Sequence, residues 1–297
     1  MSVTDLLQQA PELAGWTIGE LLGRGGMGAV YLAIEPTTAE RRAVKVMLPQ
    51  IAVEPGADAM FRREIENCQA LRHPNVVRTY ASGRADGVYF LTMEFCEGGS
   101  LDQIVQREGP LAVPEAVTTT LNVLAGLEYA HAAPIGVAGP DGAVVQSRGL
   151  VHRDVKPQNI FLTRGGGRQI GKVGDFGLAK AFELAGMSAL TRTGTSAGTP
   201  AFMPRQQVLN FRYAKPEVDV WATAASLYYA LTGHTPRDFL PGRDPWRTVW
   251  DTAPVPIAER GIPVPDRLAR IIDEALLDNP EIRFKTAAAL REALAGA

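Results

Sequence analysis

The chain has 297 residues, of which 46% are hydrophobic, with 30 Lys and Arg against 32 Asp and Glu. That length supports a large core and leaves no room for a second unrelated domain, while the near-balanced charge excludes a nucleic-acid binder held by a strong basic field. Its two cysteines, Cys68 and Cys96, form no CxxC or Cys/His cluster; this excludes a disulfide framework or zinc site and points to a reducing cytoplasm.

Met1 to Gly15 lacks the basic start and apolar run of a signal peptide and reads as a short amphipathic leader helix. Trp16 to Leu22 alternates as a strand and Val30-Tyr31-Leu32-Ala33 resumes one. The intervening Gly23-Arg24-Gly25-Gly26-Met27-Gly28 therefore turns a hairpin rather than opening a helix. Without side chains, such glycines let backbone N–H groups close over phosphates. Ala43-Val44-Lys45-Val46 then sets a lysine inside an apolar strand, where an ammonium needs an anion. Met60 to Leu71 reads as a helix with Phe61, Ile65, Cys68 and Leu71 on one face and Glu64 beside that stripe. His73-Pro74-Asn75-Val76-Val77 ends it and starts the next strand.

Beyond Tyr129-Ala130-His131, Ala132 to Arg148 is punctuated by Pro134, Gly136 and Gly139-Pro140-Asp141-Gly142, with Ala143-Val144-Val145 as a short strand arm. It reads as a surface hairpin. Val151-His152-Arg153-Asp154-Val155-Lys156-Pro157-Gln158-Asn159 follows, and later Asp175-Phe176-Gly177. Asp154 can take the proton of an attacking hydroxyl, and Lys156 points the same way along an extended loop. Asn159 offers a neutral oxygen and Asp175 an anionic one, a pair suited to magnesium, which completes its octahedron with phosphates and water. Placing a hydroxyl in line with a phosphate and neutralising charge is most of what phosphoryl transfer requires.

A polar stretch with Ser188, Thr191, Thr193, Thr195 and Ser196 precedes Gly198-Thr199-Pro200. Asp219-Val220-Trp221 opens an apolar helix through Leu231, closed by Thr232-Gly233. Leu268, Ile271, Ile272, Ala275 and Leu276 recur at helical spacing, and Asn279-Pro280 breaks that helix. No apolar segment reaches the roughly 20 residues needed to span a bilayer.

In this order and spacing, the glycine hairpin, the strand lysine, the Val151–Asn159 loop and Asp175-Phe176-Gly177 resemble a eukaryotic-like Ser/Thr protein kinase of the bacterial type, from about Trp16 to Leu294. The resemblance implies an α+β, two-lobed protein kinase fold. A small, mainly antiparallel β lobe with one regulatory helix covers 16–95, and a mainly α-helical lobe covers 96–297. It further implies ATP between the lobes, with Leu22 among the nucleotide-binding residues, Gly23, Gly25 and Gly28 near the phosphates, and Val30 and Ala43 over the base. Phe161 then lies under the base, Met93 stands at the back of the pocket, and backbone groups of Glu94 and Cys96 meet the adenine edge. By the same resemblance Lys45 binds the α- and β-phosphates and pairs with Glu64. Asp154, Lys156 and Asn159 form the catalytic set, and Asn159 and Asp175 hold Mg2+, or Mn2+ in its place. A pseudokinase scaffold is the alternative; it would lack the lysine or one of the aspartates, and all are present.

Arg153 before Asp154 goes, in such relatives, with activation by phosphate on the segment that follows. Thr191 and Thr193 are the expected autophosphorylation sites, and Thr199 the residue that touches Asp154 and Lys156. The implied partners are proteins carrying Ser or Thr, the chain itself included, with a homodimer left open and no nucleic acid. A chain stopping at Ala297 fits a catalytic piece of a longer protein. Asp219 is implied to brace the catalytic loop, a helix cap being the plainer reading. Two departures stand out. The Ala132–Arg148 segment is an insertion. Pro204-Arg205-Gln206 also replaces Ala-Pro-Glu, so Gln206 is the expected, uncharged partner of Arg283, with Glu281 or Asp278 as nearby carboxylates.

Overall fold

The computed structural model describes residues 13–25, 28–47, 57–85, 88–138, 144–176, 200–210 and 214–297. Strands β1 (Thr17–Gly25), β2 (Gly28–Ile34), β3 (Arg41–Met47), β4 (Thr79–Ala85) and β5 (Val88–Glu94) form an antiparallel sheet in the order β1-β2-β3-β5-β4. Side chains alternate across a strand, and β3 shows the consequence. Ala43 and Met47 join Ile65, Leu91 and Met93 on one face, while Val44 and Val46 join Leu13, Ile18 and Phe90 on the other. Both faces are covered, so the strand reads as an almost continuous apolar run and its single lysine lies in the interior. Leu13, from the end of the expected leader, is buried in this core; residues 1–12 lie outside the described residues.

Helix α1 (Ala57–Ala70) begins earlier than the predicted Met60 and buries Ile65 and Cys68, with Leu71 just beyond its end. It packs on β4. Strand β6 (Gly99–Ser100) leads into α2 (Leu101–Glu108), whose start is closed by reciprocal bonds between Ser100 and Gln103. α3 (Val113–Ala132) follows, and then the predicted hairpin, β7 (Pro134–Ala138) with β8 (Val144–Arg148). β9 (Ile160–Gly165) and β10 (Arg168–Val173) complete a second antiparallel sheet in the order β10-β9-β6.

The rest is helical: α4 (Arg205–Leu209), α5 (Glu217–Thr232), α6 (Pro245–Asp251), α7 (Asp266–Ala275) and α8 (Ala287–Ala295). α5 is buried on nearly every side, as its largely apolar sequence requires, and α3, α7 and α8 pack on it. Its Trp221 is fully buried, with the indole N–H donating to Leu276 O at 2.9 Å. The two parts meet at a parallel bridge between Val76 and Val173, where Val77 N donates to Val173 O and Val173 N to Asn75 O, both at 2.9 Å. That bridge sets the end of β10, and so Asp175, against the sheet. Among the described residues, no helix is long and apolar enough to cross a membrane.

Candidate active site

A cleft of about 540 Å³ lies between the sheet and the helical part, inside the range of roughly 300–1,000 Å³ common for small-molecule sites. Leu22, Gly23, Gly25, Gly28, Val30 and Ala43 line it from the sheet. Met93, Glu94, Cys96 and Phe161 complete the apolar end, and Lys45, Asp154, Lys156, Asn159 and Asp175 the charged end. Gly28 has no substitute here: its φ is 148°, and an added Cβ would fall 1.9 Å from Val46 O.

The segment joining the two parts is tied down on both sides. Glu94 makes an ion pair with Lys172 of β10 at 2.8 Å. The Glu97 carboxylate accepts from Thr163 Oγ1 and Arg164 N, each at 2.8 Å. Burial, with Glu94 nearby, pushes the Cys96 thiol up to about 12, which leaves it a small hydrophobe rather than a nucleophile.

In the loop before β9, Lys156 Nζ lies 2.8 Å from Asp154 Oδ2. Asn159 Nδ2 donates to Asp154 O at 2.8 Å and to its Oδ2 at 3.1 Å, so the amide oxygen is the atom left for a cation. Gly174 N donates to Asn159 O at 2.8 Å and thereby joins this loop to Asp175. Arg153 and Asp175 both hold left-handed backbone, φ 67° and 60°, where non-glycine residues are uncommon and functional sites are over-represented.

The expected Lys45–Glu64 pair is not the one formed. Lys45 Nζ lies 2.7 Å from Asp175 Oδ2, while Glu64 is buried on α1, 5% exposed. A buried ammonium needs a carboxylate in contact, and Asp175, on its left-handed backbone, is the one that reaches it. Burial works to raise the Asp175 pKa, but Lys45, then His152 and Lys156, hold it below the ordinary carboxylate value.

A chain of contacts runs from α1 to α5. Cys68 Sγ donates to Phe176 O at 2.9 Å. The Phe176 ring sits 4.6 Å from that of His152, whose Nε2 is 2.6 Å from Gly174 O. Asp219 accepts from His152 N and Arg153 N, each at 2.8 Å, and meets His131 Nε2 at 2.8 Å. α5 begins at Glu217 behind Pro216, so Asp219 braces the loop and is not the helix cap. The sequence reading passed over His131 and Gln207, whose Nε2 donates to Arg153 O at 2.5 Å. It also passed over Asp102 and Gln158, which line the cleft; the Ser100-x-x-Gln103 capping box could have placed Asp102 there.

The expected Gln206–Arg283 contact is absent as well. Gln206 Nε2 donates to Asp278 O at 2.6 Å, and Arg283 is exposed. The buried carboxylate of Asp278 instead meets Arg205 Nη1 at 2.9 Å and Arg237 Nη2 at 2.5 Å. Arg205 brings its own charge next to Gln206, so the pairing moves one residue back along the chain. Thr191, Thr193 and Thr199 lie outside the described residues.

Residues 16–292 match the family described as protein kinase domain. The chain is 32% identical, over 93% of its length, to the serine/threonine-protein kinase PknB of Mycolicibacterium smegmatis, and spans 42% of that relative. Against the serine/threonine-protein kinase PknH of Mycobacterium bovis it is 36% identical over 73% of its length and spans 33% of the relative. The fold is similar to the Mycobacterium tuberculosis PknI kinase domain, with a TM-score of 0.66, 26% identity, and 95% and 96% of the two chains covered. It is similar also to Rad53 1–466 in complex with AMP-PNP, with a TM-score of 0.71, 25% identity, and 95% and 65% covered.

Proposed function

Because the chain belongs to the protein kinase domain family, we propose that it transfers the γ-phosphoryl group of ATP to serine or threonine hydroxyls of proteins, itself included. The observation that carries this reading is the convergence of Lys45, Asp154, Lys156, Asn159 and Asp175 on one cleft. The Rad53 structure that the chain resembles holds AMP-PNP, an ATP analogue. Leu22, Val30, Ala43, Met93 and Phe161 offer a flat apolar slot for the base. Lys45 meets the α- and β-phosphates.

The Asp154 carboxylate takes the proton of the incoming hydroxyl as its oxygen bonds to the γ-phosphorus and the bond to the bridging oxygen breaks, releasing ADP. Lys156, already 2.8 Å from Asp154, brings positive charge to the transferring group without reorganisation at the moment of reaction. Asp175 and Asn159 fit a magnesium ion. One is a carboxylate held ionised, the other an amide oxygen, and among the described residues no group of three or more His, Cys, Asp or Glu forms a metal cage. Mg2+ needs no cage, since phosphates and water complete its shell. Bound there it would neutralise phosphate charge, and Mn2+ suits the same oxygens.

Thr191 and Thr193 are the phosphorylation sites of this reading, from their spacing to Thr199 and the presence of Arg153 beside Asp154. The cytoplasm is its compartment, in line with two buried cysteines outside any disulfide. Incubation with labelled ATP, Mg2+ and a basic protein tests it. Label is expected on serine or threonine of both chain and substrate, and roughly 10²–10⁴-fold less with Asp154→Asn. Equal labelling by the variant, or none by the wild type with any divalent cation, overturns the proposal.

A further inference from the structure

The β7–β8 hairpin has no part in the reading above, yet it grips the helix on which the cleft depends. We infer that this hairpin is a built-in clamp that fixes α1, and through it Glu64 and Phe176, relative to the catalytic loop.

Asn67 of α1 is 6% exposed and meets the backbone of one residue twice. Its Nδ2 donates to Gly136 O at 3.0 Å, and Gly136 N donates to its Oδ1 at 3.0 Å. Gly136 stands opposite Gln146 in the hairpin register. Since its N–H and C=O both go to Asn67, they point away from β8, so Asn67 satisfies the outer edge of a strand that would otherwise be unpaired. A carboxamide bonded at both ends to the N–H and C=O of one residue resists sliding as well as rotation of the helix that carries it.

Asn67 lies one helical turn from Glu64 and directly beside Cys68, and Cys68 Sγ donates to Phe176 O. A shift of α1 at Asn67 therefore moves both residues. The hairpin itself is rooted in the helical part: Ile135 is buried in the large core cluster, and Gly149 N and Leu150 N donate to Ala133 O and Ala130 O at 3.0 and 2.9 Å. The hairpin thus ties α1 to the chain that enters His152 and Asp154. On its other side α1 is held to the sheet, where Gln69 Nε2 donates to Ser82 Oγ at 3.3 Å.

Hydrogen–deuterium exchange separates this positioning role from general stability, and from the kinase reading, because it requires no turnover. Asn67→Ala removes both bonds and is expected to speed exchange of the 57–70 amides about tenfold, with α3 and α5 unchanged. A second variant that joins Ala133 to Gly149 by a short linker should speed exchange of the same α1 amides, and in Asn67→Ala the KM for ATP should rise while α3 and α5 keep their protection. Unaltered protection of α1 in Asn67→Ala and in the shortened chain overturns the inference. So does an equal loss of protection in α3 and α5.

Discussion

Arg237 Nη2 lies 2.5 Å from Asp278 Oδ2, with both side chains closed off from solvent. Burial pulls the Arg237 guanidinium below its usual range against the opposing pull of Asp278. The same carboxylate accepts from Arg205 N and Arg205 Nη1, each at 2.9 Å. One buried anion thus holds two cations and the start of α4. Removing it leaves both guanidiniums without their charge partner, so Asp278→Ala should lose about 3–5 kcal/mol in denaturant unfolding. Arg283→Ala, at an exposed position, should stay within about 0.5 kcal/mol of wild type. The reverse ranking would return the anchor to Arg283.

Gln206→Glu follows from the same cluster. Gln206 donates to Asp278 O at 2.6 Å, and its Oε1 is buried with no hydrogen-bond partner among the described residues. A glutamate would turn that donor into an acceptor facing a carbonyl, beside an existing carboxylate. The expected loss is about 1–3 kcal/mol. A higher melting temperature in the variant would support the Gln206–Arg283 pairing that the family resemblance implies.

What the sequence made legible was local. The alternation that put Lys45 inside an apolar strand, the stripe of Ile65, Cys68 and Leu71, and the Asp154–Asn159 spacing each depend on residues a few positions apart, where periodicity fixes the face. The glycine hairpin was readable for the same reason, since Gly28 must sit where a Cβ would strike Val46. What stayed hidden were choices between distant partners. Lys45 takes Asp175 rather than Glu64, Asp278 takes Arg205 and Arg237, and Asn67 takes a peptide of the inserted hairpin. Each partner has the right chemistry, but so do its neighbours, and tertiary approach decides. The insertion reads only as a surface hairpin because turn residues announce a hairpin without saying what it lies against.

Cys96 gives a test of the pocket that is independent of turnover. With its thiol pushed up to about 12 by burial and Glu94, only about 10⁻⁴ of it is thiolate at pH 8. Native protein should therefore leave Cys96 unalkylated by iodoacetamide, while denatured protein labels fully in peptide mass spectrometry. Ready labelling of Cys96 in the folded chain would place it outside the buried edge of the cleft.

Asp219 sets the acid limit of the catalytic loop. Burial acts to raise its pKa, but the bond from His131, with the charges of His131 and His152 and the His152 backbone N–H, outweighs it and holds the carboxyl below its ordinary value of 3.8. A folded pKa below the unfolded one means that the ionised form is favoured by folding. Its contribution is complete above the unfolded value and disappears as pH falls through the folded one. Asp219→Asn retains the shape but not the charge that serves His152 N, Arg153 N and His131, and should lose roughly 3–5 kcal/mol at pH 7. In urea titrations of the two proteins, that gap should narrow steadily below about pH 4, as Asp219 protonates. A gap that stayed constant to pH 3 would mean that the charge of Asp219 does not brace the loop, and that the loss at neutral pH came from packing alone.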